Sequence, residues 1–245
     1  MKVKREIKEK YNKQYVKGAD EWRNIGGKGK AINIINIADG SKKTKVLDVG
    51  SGEGSVLYWL DFYKFSKNIT SLEISSSGIQ AIKARNLVSI KQIYPFDGYS
   101  IPFENDSFDL ALCSHVIEHV EFPRRLIREI SRVSKEQIFE VPIDFSLNVD
   151  KKVNYFLNYG HINIYTPHTF RFLLQSEGLE IVSYQNSLYD EKVFKYHERK
   201  LKKIVKLKNK LKRSLWKNIP FLMNLKPNVT TVKTRKSKNP IEIMN

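Results

Sequence analysis

The sequence predicts an α/β domain, doubly wound around a mostly parallel seven-stranded sheet, with a basic amphipathic helical insertion near the C-terminus. Three observations point there. From Lys45 onward, short β-branched runs alternate with runs of helical period, the pattern of right-handed βαβ units. One strand-like run passes straight into a glycine-rich turn and then a helix, in VLDVGSGEGSV at 46–56. The length of 245 residues suits one well-buried domain with an accessory segment.

Residues 1–44 predict a helical layer: REIKEKYNKQYVKGADEW, a glycine break at IGGKGK, then AINIINIADG, whose Ala31, Ile34, Ile35 and Ala38 recur at helical spacing. Strands are expected near 45–49, 69–74, 88–94, 108–113, 137–142 and 180–186, with helices near 53–62, 76–86, 122–134 and 167–177. Two stretches break the alternation. Residues 143–166 are aromatic, with Phe145, Tyr155, Phe156, Tyr159 and Tyr165, and follow a strand end where such sheets place ligands. Residues 191–218 read as a basic amphipathic helix, with Leu201, Ile204, Val205, Leu211 and Leu215 among lysines. After Pro220 and Pro227, VTTVKTRK at 229–236 has strand character and is expected to return as a last, edge strand.

The single cysteine, Cys113, excludes an internal disulfide, and no leader or long apolar run appears, so a cytoplasmic protein is expected. The net charge of +17 suggests nucleic acid until it is divided along the chain. Residues 192–245 hold 17 Lys/Arg against Glu198 and Glu242, so the body is nearly neutral and the charge belongs to an accessory element.

The glycine turn carries Gly50, Gly52 and Gly54. A dinucleotide fingerprint would place its third glycine at Ser55, and Glu53 would bring a negative charge beside a pyrophosphate at the helix start. Both argue against NAD. Asp48 before the turn and Glu73 at the end of the next strand offer two carboxylates to a ligand with hydroxyls and positive charge. An acid about 20 residues past such a turn suits ribose hydroxyls.

With VLDVGSGEG, LEIS, FDGYSIPFENDSFDLALCSHVIEHV and REISRV in this order, the chain resembles class I S-adenosylmethionine-dependent methyltransferases over about residues 45–186. It is most similar to the branch with sugar and quinone-biosynthesis O-methyltransferases. The resemblance implies a Rossmann-like methyltransferase fold and S-adenosylmethionine as cofactor. It gives Asp48, Gly50, Ser51 and Gly52 to the amino-acid part of the cofactor, Glu73 with Ile74 to the ribose, and Asp97 with Gly98 to the adenine amino group. Ser114 and His115 border the cofactor. SKEQ at 134–137, where many relatives have a glycine pair, is expected to be a surface turn. The implied organisation is a helical layer over the cofactor site (1–44), a catalytic domain (45–190), and the basic helix with the last strand (191–245).

SHVIEHV at 114–120 contains H-x-x-E-H, a zinc-peptidase spelling. That chemistry needs the residues on one face of a long helix, whereas this motif follows a strand directly and Pro123 comes four residues after His119. Transfer to an alcohol needs a positioned acceptor and a base, and histidine is the usual base near neutrality. His119 is the first candidate and His161, in YGHINIYTP, the second, with His115 and Glu118 beside them. No metal is assigned; a divalent ion on Glu118 and His119 is compatible with the pattern but not favoured.

The GHINIYTP stretch and the helix and strand after it resemble methyltransferases of surface-glycan sugars, so the expected acceptor is a small molecule or a glycan-linked group. The alternatives are RNA, a quinone-like lipid, or a cofactor-binding or nucleic-acid-binding module without catalysis. The basic helix suits peripheral contact with an anionic membrane, phosphates of RNA, or, equally, a solvated lid packed on its own domain; between the two partners the near-neutral body favours the membrane.

Overall fold

Strand β1 (Val46–Val49) is buried along its whole length because β2 (Ile69–Glu73) and β4 (Phe108–Ser114) flank it in parallel and helices cover both of its faces. This computed structural model describes residues 5–16, 20–145, 149–199, 201–218 and 227–239. With β3 (Ile90–Pro95), β5 (Ser134–Pro142), β6 (Leu179–Ser187) and β7 (Val229–Lys236), the strands form one seven-stranded sheet in the order β3-β2-β1-β4-β5-β7-β6. β7 alone runs opposite to the other six strands. The order reverses between β1 and β4, which opens a crevice at the carboxyl ends of the central strands.

Alternation along the strands divides the core. Val46, Ile69, Leu112 and Ile138 pack under α2 (Glu21–Ile37), α3 (Ser55–Phe62) and α4 (Ser76–Ala84), against Ala31, Ile34, Leu57, Leu60 and Ile82. Leu47, Val49, Cys113 and Phe139 face α5 (Pro123–Val133) and α7 (Pro167–Ser176), against Leu126, Ile130, Phe170 and Leu174. Two remaining ends are set locally: proline occupies the first turn of α5 and α7, and Thr166 caps α7 in a reciprocal bond with Thr169.

Four expectations are corrected. The last strand is not an edge. It inserts between β5 and β6, where Thr231 and Thr234 donate to the buried Glu140 and Gln137 of β5 at 2.8 and 2.9 Å. Buried polar groups need partners, and the two threonines complete the hydrogen bonding of these side chains; β6 takes the edge. The glycine break at IGGKGK does not exist, since α2 runs through it. Gly27 lies so close to α3 that an added Cβ would come 2.7 Å from Ser55 Cβ, so this glycine serves helix contact rather than interruption. SKEQ is the start of β5, reached from α5 without a loop. Residues 191–218 form two helices, α8 (Glu191–Glu198) and α9 (Lys203–Asn218). Residues 219–226, with Pro220, lie outside the described residues.

No described helix is long and apolar enough to cross a membrane.

Candidate active site

The glycine turn leaves β1 with Gly50, Gly52 and Gly54 at φ of +78°, +57° and +83°. Gly50 is constrained twice, because a Cβ there would also meet Val116 Cγ2 at 2.5 Å. The turn is tied to β2 by Glu73: its Oε2 accepts from Gly52 N at 2.7 Å, and its Oε1 from Ser75 N and Oγ at 2.9 and 2.8 Å. Ser51 accepts a hydroxyl bond from Ser71 at 2.7 Å. Ile74 follows, half-buried, against the core.

Asp48 and Glu73 are 4% and 3% exposed. Burial pushes both upward, Asp48 to about 6, where Glu73 adds to the rise and Ser51 opposes it. Buried acids that resist ionisation fit a ligand carrying its own positive charge. A sulfonium and an ammonium would restore their ionised forms, so the residues present suit S-adenosylmethionine. Asp97, after β3, uses Oδ1 to accept from Tyr99 N and Ser100 N at 2.8 and 2.7 Å beside Gly98 at φ +97°, leaving Oδ2 for a donor such as an amino group. Glu53 lies one residue before the Gly54 cap of α3, not within its first turn, and pairs with Arg85 at 3.4 Å. Its charge is thus partly cancelled, and the argument against a pyrophosphate rests on the glycine spacing.

Beyond β4 the chain turns sharply. His115 takes φ +56°, a left-handed conformation unusual for histidine, and Ile117–His119 form a single 3-10 turn before Pro123 opens α5. No long helix carries the H-x-x-E-H spelling, which removes the peptidase geometry. Instead the turn gathers His115, Glu118 and His119, and the end of α6 (Val153–Tyr159) brings His161 to them. The rings of His119 and His161 meet edge to face with centroids 4.8 Å apart.

The hydrogen bonds orient both rings. His119 Nδ1 lies 2.9 Å from the carbonyl of Gly160, which only accepts, so Nδ1 carries the proton and Nε2 offers a lone pair toward Glu118, 3.7 Å away. Gly160 itself sits at φ +75°. His161 Nδ1 bonds to the carboxylate of Asp144, which leaves its Nε2 open in the same way. Burial holds His119 down at about 4, and the neighbouring His161 adds to this. Glu118 is 1% exposed, and among the described residues neither of its oxygens has a hydrogen-bond partner, His115 Nδ1 lying 3.5 Å from Oε1. Burial pushes its carboxyl up.

Behind His115 lies Glu140 of β5, fully buried. It accepts from Asn33, Ser114 and Thr231 at 3.0, 3.0 and 2.8 Å, and His115 Nε2 is 3.4 Å away. Burial alone would raise Glu140, but His115, Lys30 and Asn33 outweigh it and hold the carboxyl below the usual range. The Ser114 hydroxyl is thus committed to Glu140, and only its backbone is left to border a ligand.

Sequence reasoning missed Glu140, Asp144, Lys30, Tyr11 of α1 (Arg5–Gln14) and Tyr15 just past its end. Lys30 acts electrostatically on Glu140 and Glu118 from α2, in the stretch read as a glycine break. The Tyr11 ring lies 6.3 Å from that of His119, and the Tyr15 hydroxyl is 3.1 Å from the place a Cβ on Gly52 would occupy. Asn12 Oδ1 accepts from Ser76 N at 2.8 Å and fixes α1 over α4. Asp144 lay two residues past a strand that the sequence did locate, and that position was its only signal.

Comparison with known proteins gives a consistent family. Residues 27–184 match the family described as methyltransferase domain. An uncharacterized methyltransferase, YcgJ of Bacillus subtilis, is 25% identical over 157 residues, 61% of this chain and 60% of that protein, so the match spans less than two thirds of the relative. Among solved structures, the complex between the Haloferax volcanii Trm112 methyltransferase activator and the putative methyltransferase contains a chain with a TM-score of 0.65. That match has 12% identity and covers 96% of this chain and all of that one. Haemonchus contortus phosphoethanolamine N-methyltransferase 2, solved with phosphomonomethylethanolamine and S-adenosylhomocysteine, gives a TM-score of 0.62 at 14% identity, over 86% of this chain and 53% of that one. At such identities these structures report the fold, and the family rests on the domain match. The chain belongs to the methyltransferase domain family.

Proposed function

We propose that this protein is an S-adenosylmethionine-dependent methyltransferase that methylates an oxygen of a sugar, or of another small group, on a cell-surface glycan or its nucleotide-activated precursor. When bound, S-adenosylmethionine supplies an electrophilic methyl group on a sulfonium sulfur and leaves as S-adenosylhomocysteine. Asp48, Glu73 and Asp97 hold it along the crevice. Ser114 and His115 border it, with Tyr11 and Tyr15 of the 1–44 layer above.

One observation carries the choice of an oxygen acceptor: the Asp144–His161 pair beside His119. An imidazole whose Nδ1–H is held by a carboxylate presents Nε2 as a base of fixed tautomer, suited to take a hydroxyl proton as the oxygen attacks. His161 is therefore the better base, and His119, kept neutral and weakly basic, lines the acceptor side. This order reverses the one the sequence suggested. Tyr155 and Tyr159 are 55% and 50% exposed, and the Tyr159 ring lies 6.0 Å from that of His161. Aromatic faces of this kind stack on the C–H face of a sugar ring.

A second reading is favoured by the unpartnered Glu118 oxygens. Ligand atoms of Glu118, His119 and His161 lie within 4.8 Å of one another. Both histidines keep Nδ1 on an oxygen and Nε2 open, the orientation that outer partners impose on metal-binding imidazoles. A divalent cation there would polarise the acceptor hydroxyl in place of the histidine base.

The deciding experiment offers S-adenosylmethionine with a panel of nucleotide sugars, glycans, RNA and quinone-like lipids, and reads methyl incorporation by mass. Methylated sugar supports the reading. Methylation of RNA or of a lipid moves the acceptor, and cofactor binding with no transfer to any acceptor reduces the protein to a binding module.

A further inference from the structure

Helix α9 is attached to α8 and its C-terminal cap, Arg199, by its polar side. Arg213 pairs with Glu198 and Glu191 at 2.6 and 3.0 Å and lies 4.6 Å over the Phe194 ring. Asn209 donates to Glu198 at 2.9 Å, and Lys206 to the Arg199 carbonyl at 3.0 Å. At 3.6 residues per turn, positions 206, 209 and 213 share one side of the helix. Ile204, Leu207, Leu211 and Leu215 share the opposite side and are 75%, 58%, 60% and 60% exposed. An ordinary surface helix turns its apolar stripe inward; this one turns it outward.

The flanks of the stripe are basic. By helical angle Lys208 lies along one border and Lys203 and Lys210 along the other. Residues 203–218 hold seven Lys/Arg and no acid. An apolar stripe between two rows of lysine matches the boundary between acyl chains and anionic headgroups: the leucines enter the acyl region while the ammonium groups stay among the phosphates. RNA would use the lysines but would leave the four aliphatic side chains without a partner.

We propose that the outer face of α9 docks the protein on a bilayer surface rich in anionic lipid. This inference stands on α9 alone and does not depend on which acceptor is methylated.

The test is co-sedimentation of the full chain with vesicles of phosphatidylcholine, alone or mixed with phosphatidylglycerol. The wild type is expected to bind the mixed vesicles and to bind neutral ones at least about tenfold more weakly. Leu207→Gln/Leu211→Gln and Lys203→Gln/Lys208→Gln/Lys210→Gln should each weaken binding by at least about tenfold while thermal unfolding stays as in the wild type. If the double leucine variant unfolds, Leu211→Ser alone gives the same comparison. Three results would overturn the proposal: no wild-type binding to mixed vesicles, leucine variants that bind as the wild type does, or binding to single-stranded RNA that is tighter than to vesicles and indifferent to the leucines.

Discussion

The side-chain amide of Asn163 donates to the carbonyl of Val120 at 2.7 Å, across 43 residues of sequence, and to that of Ile117 at 3.3 Å. The backbone N–H groups of Ile162 and Asn163 both donate to the Glu118 carbonyl at 3.0 Å. These bonds fasten the segment that carries His161 to the turn that carries His119. Asn163→Ala should lower stability by about 2 kcal/mol, since it leaves a buried carbonyl unpaired. It should also lower kcat at least about tenfold by loosening the two histidines. Thermal unfolding and turnover measure the two effects separately.

If His161 takes the acceptor proton, His161→Ala should reduce kcat by about a hundredfold or more, with S-adenosylhomocysteine affinity within about twofold of wild type. Asp144→Asn should keep the ring but loosen its tautomer, and kcat should fall at least about tenfold with cofactor affinity unchanged. His119→Ala, by contrast, should act mainly on KM. An equal kcat loss in His119→Ala and none in His161→Ala would return the base to the order the sequence suggested.

Asp48 couples ligand binding to stability. Its folded value of about 6 lies above the 3.8 of an ordinary aspartate. The protonated form is therefore favoured in the fold, and stability is lost as pH rises from about 4 to 6. Above that range the buried charge costs about 3 kcal/mol. At pH near 7.5, Asp48→Asn should raise the stability of the ligand-free protein by about 2 kcal/mol, weaken S-adenosylmethionine binding, and flatten this part of the pH profile. Denaturant melts at several pH values, with and without ligand, check the sign.

The fold was legible because its signals are local. Alternation placed each strand within a few residues, and spacing singled out the glycine turn and Glu73, whereas Asp97 came from the resemblance of its motif. Non-local pairing was not legible. Nothing within VTTVKTRK says that Thr231 and Thr234 must reach Glu140 and Gln137, and the insertion of β7 follows from those bonds. Asp144 acquires its partner only when α6 folds back, and Lys30 its neighbours only when α2 lies over β5. The run of glycines at 26, 27 and 29 misled because its composition is that of a turn, while α2 runs through it and Gly27 serves close packing against Ser55 of α3.

The cation reading has its own discriminating result. If Glu118, His119 and His161 hold a divalent ion, manganese should raise the Tm of the wild type and leave Glu118→Gln unmoved, and exhaustive chelation should abolish turnover. Without such an ion, chelation should leave turnover intact. Glu118→Gln should then be neutral or slightly stabilising, because it removes a buried carboxyl whose oxygens have no partner.

The account rests on a cofactor held between the glycine turn and the acid of β2. Calorimetric titration of S-adenosylhomocysteine into the wild type and into Glu73→Ala, with the fold of each followed by thermal unfolding, tests that directly. Saturable binding by the wild type, weakened about ten- to hundredfold in the variant, is the predicted result. No binding to a folded wild type, or the same affinity in both proteins, would contradict it.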